Sequence, residues 1–242
     1  MRLLNVDTLE LEEYFGDHVP YYAILSHTWQ QGEEISFVEL ATPEKAQNKA
    51  GWKKIHYTCK QAKQHGLQFV WVDTCCIDKR SSAELSEAIN SMFAWYTKAQ
   101  ICYVYMSDVS KRDFDTTFPA SRWFTRGWTL QELLAPSNVI FYDKEWKELG
   151  QKASGSNMVP IRIMIFCDNE WKEAEETLFR QNDLASLISN ITKIDKIVLE
   201  NPDYIQQQSV ACKMSWVSSR TTTRLEDVAY SLMGIFVNHL FF

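Results

Sequence analysis

Several short runs in this chain are apolar from end to end and then stop abruptly on polar residues. Tyr21–Leu25 runs into Ser26-His27-Thr28, Leu67–Val72 into Asp73, and Ile101–Met106 into Ser107-Asp108, and a further apolar run covers Val139–Tyr142. A strand buried on both faces reads this way, because neither face leaves room for alternating polar residues. The segments between the runs have helical spacing. Ile55, Cys59 and Ala62 recur on one face of Trp52–His65, with Gly66 where a C-cap belongs. Ser81-Ser82-Ala83-Glu84 has the spacing of a capping box, followed by Leu85, Ile89, Met92, Tyr96 and Ala99 on one face. A short helix is expected over Trp128–Leu134, closed by Ala135-Pro136. Alternating strands and helices predict a parallel sheet covered on both faces, with ligands bound outside the C-terminal strand ends. Those ends carry Ser26, His27, Asp73 and Asp108.

Composition narrows the partners. The 242 residues carry 25 basic and 31 acidic side chains, a formal charge of −6. Neither a nucleic acid nor an anionic membrane is expected as the main partner, since both are bound through clustered positive charge. The six cysteines form no CxxC pair, which disfavours metal and disulfide readings; free thiols in a reducing, cytoplasmic compartment are expected. His56 and His65 have no matching acidic or Cys partners, so no metal site is expected. After Tyr142 the chain turns more polar and then mainly helical. Leu184, Leu187, Ile188 and Ile191 make one face, and Thr223-Arg224-Leu225-Glu226 looks like a second capping box, with Val228, Leu232 and Phe236 inward.

Three long phrases then become recognisable: YAILSHTW at 22–29, WVDTCCIDK at 71–79 and SRWFTRGWTLQELLAP at 121–136. In this order and spacing they closely resemble the heterokaryon incompatibility (HET) domain of filamentous fungi. The stretch from Met214 through Arg220 and Thr222–Asp227 to Phe236 resembles the downstream region of the same family. The resemblance implies a cytoplasmic module that triggers growth arrest or cell death when genetically different fungal cells fuse, with an incompatibility partner and self-association as open partner classes. HET domains are in turn similar to TIR domains. The expected fold is therefore α/β, a TIR/flavodoxin-like parallel sheet flanked by helices, with a mainly helical C-terminal extension. Residues 1–20 are read as a lead-in, 21–149 as the core and 150–242 as the extension, with additional sequence at 150–180. Relatives commonly continue beyond the point where this chain stops, which leaves a truncated, inactive remnant as one reading.

Some TIR domains hydrolyse NAD with a glutamate in a Trp-Cys-Leu-x-Glu-Leu motif. Trp128-Thr129-Leu130-Gln131-Glu132-Leu133 matches it except for Thr129, and the resemblance makes Glu132 the catalytic candidate, with NAD as substrate and no prosthetic group. One carboxylate suffices chemically. Nicotinamide is cationic on the ribose and leaves neutral, so no general acid is needed and a carboxylate stabilising the oxocarbenium-like state serves. Ser26 and His27 are candidates for phosphate or ribose, and His27 is equally a structural hydrogen-bonding residue. Trp29 and Trp128 read as stacking platforms or as core packing, Asp73 as a ribose ligand or a turn cap, and Arg126 as a diphosphate clamp or a surface cation. A solvated helix residue is the alternative for Glu132. A non-catalytic signalling module stands beside the enzyme reading.

Overall fold

A computed structural model describes residues 1–16, 18–153, 161–167, 170–176, 183–224 and 226–236. The chain opens with strands β1 (Arg2–Asn5) and β2 (Leu11–Glu13), followed by β3 (Tyr22–His27). Two single-turn helices, α1 (Phe37–Leu40) and α2 (Pro43–Ala46), precede α3 (Ala50–Gln64). Then come β4 (Phe69–Trp71), α4 (Ser82–Lys98), β5 (Ile101–Tyr105), α5 (Phe114–Thr117), α6 (Thr129–Leu134) and β6 (Asn138–Tyr142). The alternation of β3, α3, β4, α4, β5, α6 and β6 is the predicted one, whereas β1, β2, α1, α2 and α5 were not expected; β3 also takes in the polar pair Ser26-His27, every residue of it buried.

The sheet has seven strands in the order β2-β1-β4-β3-β5-β6, ending in β7 (Glu148–Ala153). Its centre, β4-β3-β5-β6, is parallel; β1 and β7 pair antiparallel with it on either side, and β2 pairs antiparallel with β1. The expectation of an all-parallel sheet is thus corrected to a mixed one. The residues read as a lead-in supply two strands, and a tight turn held by Asp143, which accepts from the amides of Glu145 and Lys147 at 2.8 and 2.9 Å, folds β7 back on β6. The helical reading of the chain from 150 is likewise corrected at its start. There β7 ends, and β8 (Ile161–Cys167) and β9 (Glu170–Glu176) pair as a separate antiparallel hairpin within 150–180. Beyond Asp183 follow α7 (Ala185–Thr192), α8 (Lys196–Glu200), α9 (Val210–Ser215) and α10 (Asp227–Met233).

Alternation along the strands sorts the two faces. On β5, Tyr103 and Tyr105 face α3 and the turn after β6, where Tyr103 bonds His65 at 2.7 Å and Tyr105 stacks on Trp146. Cys102 faces the other way, its Sγ 3.9 Å from the Glu132 carbonyl on α6. Helices therefore flank both faces, as continuous apolar strands require. Two caps differ from expectation. Ser81 caps α4 as predicted, but Glu84 turns away to the Arg2 guanidinium and the Asp78 amide. Thr223 and Glu226 form no capping box: α10 starts at Asp227 without a side-chain cap, and Val228 is exposed. Five cysteines, Cys59, Cys75, Cys76, Cys102 and Cys212, are free thiols, and Cys75 and Cys76 are spent on the Val72 carbonyl and amide at the end of β4. Among the described residues no helix is long and apolar enough to cross a membrane.

Candidate functional site

The C-terminal ends of β3 and β4 open into a cavity of about 370 Å³, within the range of small-molecule sites. Its floor is Glu132. The strand end carrying Ser26 lies directly beneath: Ser26 Oγ donates to Glu132 Oε2 and accepts the Trp123 indole N–H at 2.8 Å. Trp123 and Ser26 are fully buried, so this chain of bonds fixes the carboxyl from behind. Burial pushes the Glu132 acid up to about 8, and Asp73 nearby pushes the same way; the Ser26 hydroxyl and the Arg126 charge only partly oppose them. That shift favours the uncharged acid form of Glu132 at neutral pH. A carboxyl held near neutrality in a cleft is typical of groups that do chemistry.

Asp73, at the end of β4, behaves in the opposite way. Burial works against its ionisation, but His27 Nε2 at 3.0 Å, the Trp29 indole N–H at 2.9 Å and the Lys79 charge outweigh it and hold the carboxyl down at about 2. Two carboxyls in one cavity are therefore kept in different protonation states by their surroundings. Trp29 forms a rim, 46% exposed, with Lys79 Nζ 3.9 Å above its ring. Leu85, Ile89 and Met92 of α4 give the cavity an apolar side. Sequence periodicity read these three as core, and they are half-buried because the face they present is the cavity's.

The remaining wall comes from far along the chain. Thr223, Arg224 and Asp227 close the side near Arg126 and Trp128. They are docked by backbone bonds: the Gly127 amide donates to the Thr221 carbonyl at 2.9 Å and the Thr221 amide to the Thr125 carbonyl at 2.6 Å. A Cβ on Gly127 would stand 2.5 Å from Thr222 Cγ2, so a side chain here would have to turn the Thr222 methyl aside. Arg220 locks the junction from inside, donating to the carbonyls of Trp216 and Arg126 at 3.1 and 2.9 Å and to Thr129 Oγ1 at 3.0 Å. Burial lowers its guanidinium to about 10.

Of the sequence candidates, His27, Trp29, Asp73, Arg126, Trp128 and Glu132 all line this cavity, and Ser26 stands behind it as the support of Glu132. Asp108 is elsewhere, tying Ser121 and the Arg122 amide into the turn before Trp123. Lys79 lay inside a recognised motif without a role assigned to it, and Thr223 and Arg224 were read as part of a helix cap rather than as cavity wall. Glu34 and Arg220 carried no signal in the spacing.

Residues 22–119 match the family described as heterokaryon incompatibility protein (HET). The chain is also 42% identical over 231 residues to vegetative incompatibility protein HET-E-1 of Podospora anserina, an alignment covering 92% of this chain and 15% of that protein. The chain thus spans a small part of the curated relative it matches, and no solved structure matches it. The alignment takes in nearly the whole chain, whereas the family match stops before Arg126 and Glu132. This chain carries a heterokaryon incompatibility (HET) domain.

Proposed function

We propose that this domain is a TIR-like effector that hydrolyses NAD, acting in the cytoplasm in fungal incompatibility and cell death. The observation that carries this is the placement of Glu132: a desolvated carboxyl on the floor of a cavity at the C-terminal strand ends, with indoles and cations at its rim. The four parallel strands have the order 2-1-3-4, that of flavodoxin-like doubly wound sheets, whose ligands sit where the order reverses. Here the reversal lies between β3 and β5, and Glu132 is bonded to both through Ser26 and Cys102. On this reading residues 21–149 are the core, and the later helices complete its site.

In the reaction, a water oxygen bonds to the ribose C1′ while the C1′–N bond breaks and its electron pair leaves with nicotinamide. The water's surplus proton goes to solvent. Ionised Glu132 stabilises the cationic sugar by an attraction between opposite charges that is stronger in a desolvated site than in bulk water. Arg126 and Lys79 sit where a diphosphate needs cations, and Trp29 and Trp128 offer flat faces to a base. Nicotinamide release by the purified chain tests this. Glu132→Ala is expected to lower it by about 100-fold or more with the fold unchanged by circular dichroism. No release from wild-type protein at high concentration overturns the enzyme reading.

A second reading has one observation in its favour: Phe15 and Tyr21 stand exposed beside a separate hollow, as partner-binding aromatics do. A non-catalytic module of this kind, binding itself or an incompatibility partner, still kills cells when Glu132 is replaced. An enzyme does not.

A further inference from the structure

Two buried polar atoms in this molecule face each other without making a bond. His27 Nδ1 and Glu34 Oε2 are 3.8 Å apart, and neither has a hydrogen-bond partner. Buried polar atoms are nearly always paired, so a facing orphan pair calls for a reason. The other ends of both side chains are tightly held. His27 Nε2 meets Asp73, and because an ionised carboxylate only accepts, Nε2 carries the hydrogen. Glu34 Oε1 accepts from Lys54 Nζ at 2.5 Å and from the Gln30 amide at 2.7 Å.

Lys54 has just 4% of its surface exposed and donates in addition to the Thr28 carbonyl at 3.2 Å. The ion pair therefore staples the loop on both sides of Trp29 to α3. That loop and helix touch: a Cβ on Gly51 would fall 2.7 to 2.9 Å from backbone atoms of residues 33 to 35. Glu34 is bonded to the Gln30 amide beside Trp29, and its other oxygen lies 3.8 Å from His27, which bonds Asp73, whose Oδ2 takes the Trp29 indole N–H.

The geometry points to Glu34, paired with Lys54, as a positioning residue of the cavity: from outside it, Glu34 backs the His27–Asp73 pair and so fixes the Trp29 rim. Its kinetic consequence rests on the cavity being the NAD site, while its structural consequence does not.

The test uses the indole N–H signals of the full ¹⁵N-labelled chain, with that of Trp29 assigned by its loss in Trp29→Phe. In Glu34→Gln the Trp29 signal is expected to shift and its hydrogen exchange to accelerate about fivefold, the loss of roughly one hydrogen bond. The Trp123 signal, held by Ser26, stays in place. In turnover KM for NAD rises about fivefold while kcat stays within about twofold, the pattern of lost binding without lost chemistry. Glu34→Asp keeps the charge and recovers part of both effects. Should the unpaired Lys54 ammonium prevent Glu34→Gln from folding, Glu34→Gln/Lys54→Met removes it and carries the same expectation. An unchanged Trp29 signal and exchange rate in either folded variant overturns the inference. Absent turnover in wild-type protein instead overturns the NAD reading and leaves the indole measurement decisive here.

Discussion

The strand-end wall of the cavity and the wall facing it hold their positions by different means. Ser26, His27 and Asp73 stand on or just past strands at the centre of the sheet, and their side chains bond to other side chains: Glu132, Trp123, Trp29 and each other. Thr223 and Arg224 are exposed and sit on a segment fixed by two main-chain bonds, the Gly127 contact and buried Arg220. Moving the first wall means opening the sheet. The second is expected to open locally, at a fraction of the global unfolding free energy. One wall is therefore built to hold charges in fixed states, and the other to be docked.

Arg220→Met strikes the docked wall and gives the largest effect. It strips three acceptors of their donor, and a loss of about 3 kcal/mol in denaturant unfolding is expected, with fast hydrogen exchange at the Gly127 and Thr221 amides. Slow exchange there in the variant would mean the two walls are equally fixed. Glu132→Gln comes next. Folding raises this acid from 4.5 to about 8, so its contribution to stability is complete below pH 4.5 and is lost as pH rises towards 8. The Gln variant lacks that slope and is more stable than wild type at pH 8, a gap that closes below pH 4.5. On the proposed NAD reading the same group sets kcat/KM, which is expected to rise with pH to a plateau above about 8, and Ser26→Ala is expected to move that midpoint higher. A flat profile from pH 6 to 9 sinks the role of the ionised form.

Asp73→Asn tests the preset wall directly. Folding lowers this acid from 3.8 to about 2, so its contribution is present above pH 3.8 and lost as pH falls through about 2. At neutral pH the variant is expected to lose about 2 kcal/mol, a difference that vanishes near pH 2. Trp29→Phe is the mildest, costing about 1 kcal/mol or less, because a half-exposed rim loses one hydrogen bond and one ring–cation contact.

The sequence made one side of this comparison readable and hid much of the other. Continuous apolar runs announce strands buried on both faces, and polar residues at their ends pointed to His27 and Asp73 before any coordinates. Edge strands give no such signal. In β7 the inward position after Gly150 is Lys152, fully buried, with Nζ on the Pro136 carbonyl at 2.9 Å; a lysine there looks like a loop residue. Glu34 and Lys54 lie 20 positions apart, one in a polar loop and one on a helix with lysines on its open face, so nothing in spacing joins them. Val228 was placed inward by periodicity but is exposed, since α10 is short and turns Ser231 and Leu232 to the interior. Glu132 was found by resemblance alone; its spacing on α6 suits a solvated residue equally well.

The docking of Thr221 onto Thr125 has a consequence for the order in which a cell acquires this site. The parallel strands and Glu132 are all synthesised by residue 142, some eighty positions before the last wall residues. A nascent chain, or one broken before Arg220, has the sheet and the carboxyl but only part of the enclosure. The enclosure is thus completed only once the Thr221 segment has been made and docked.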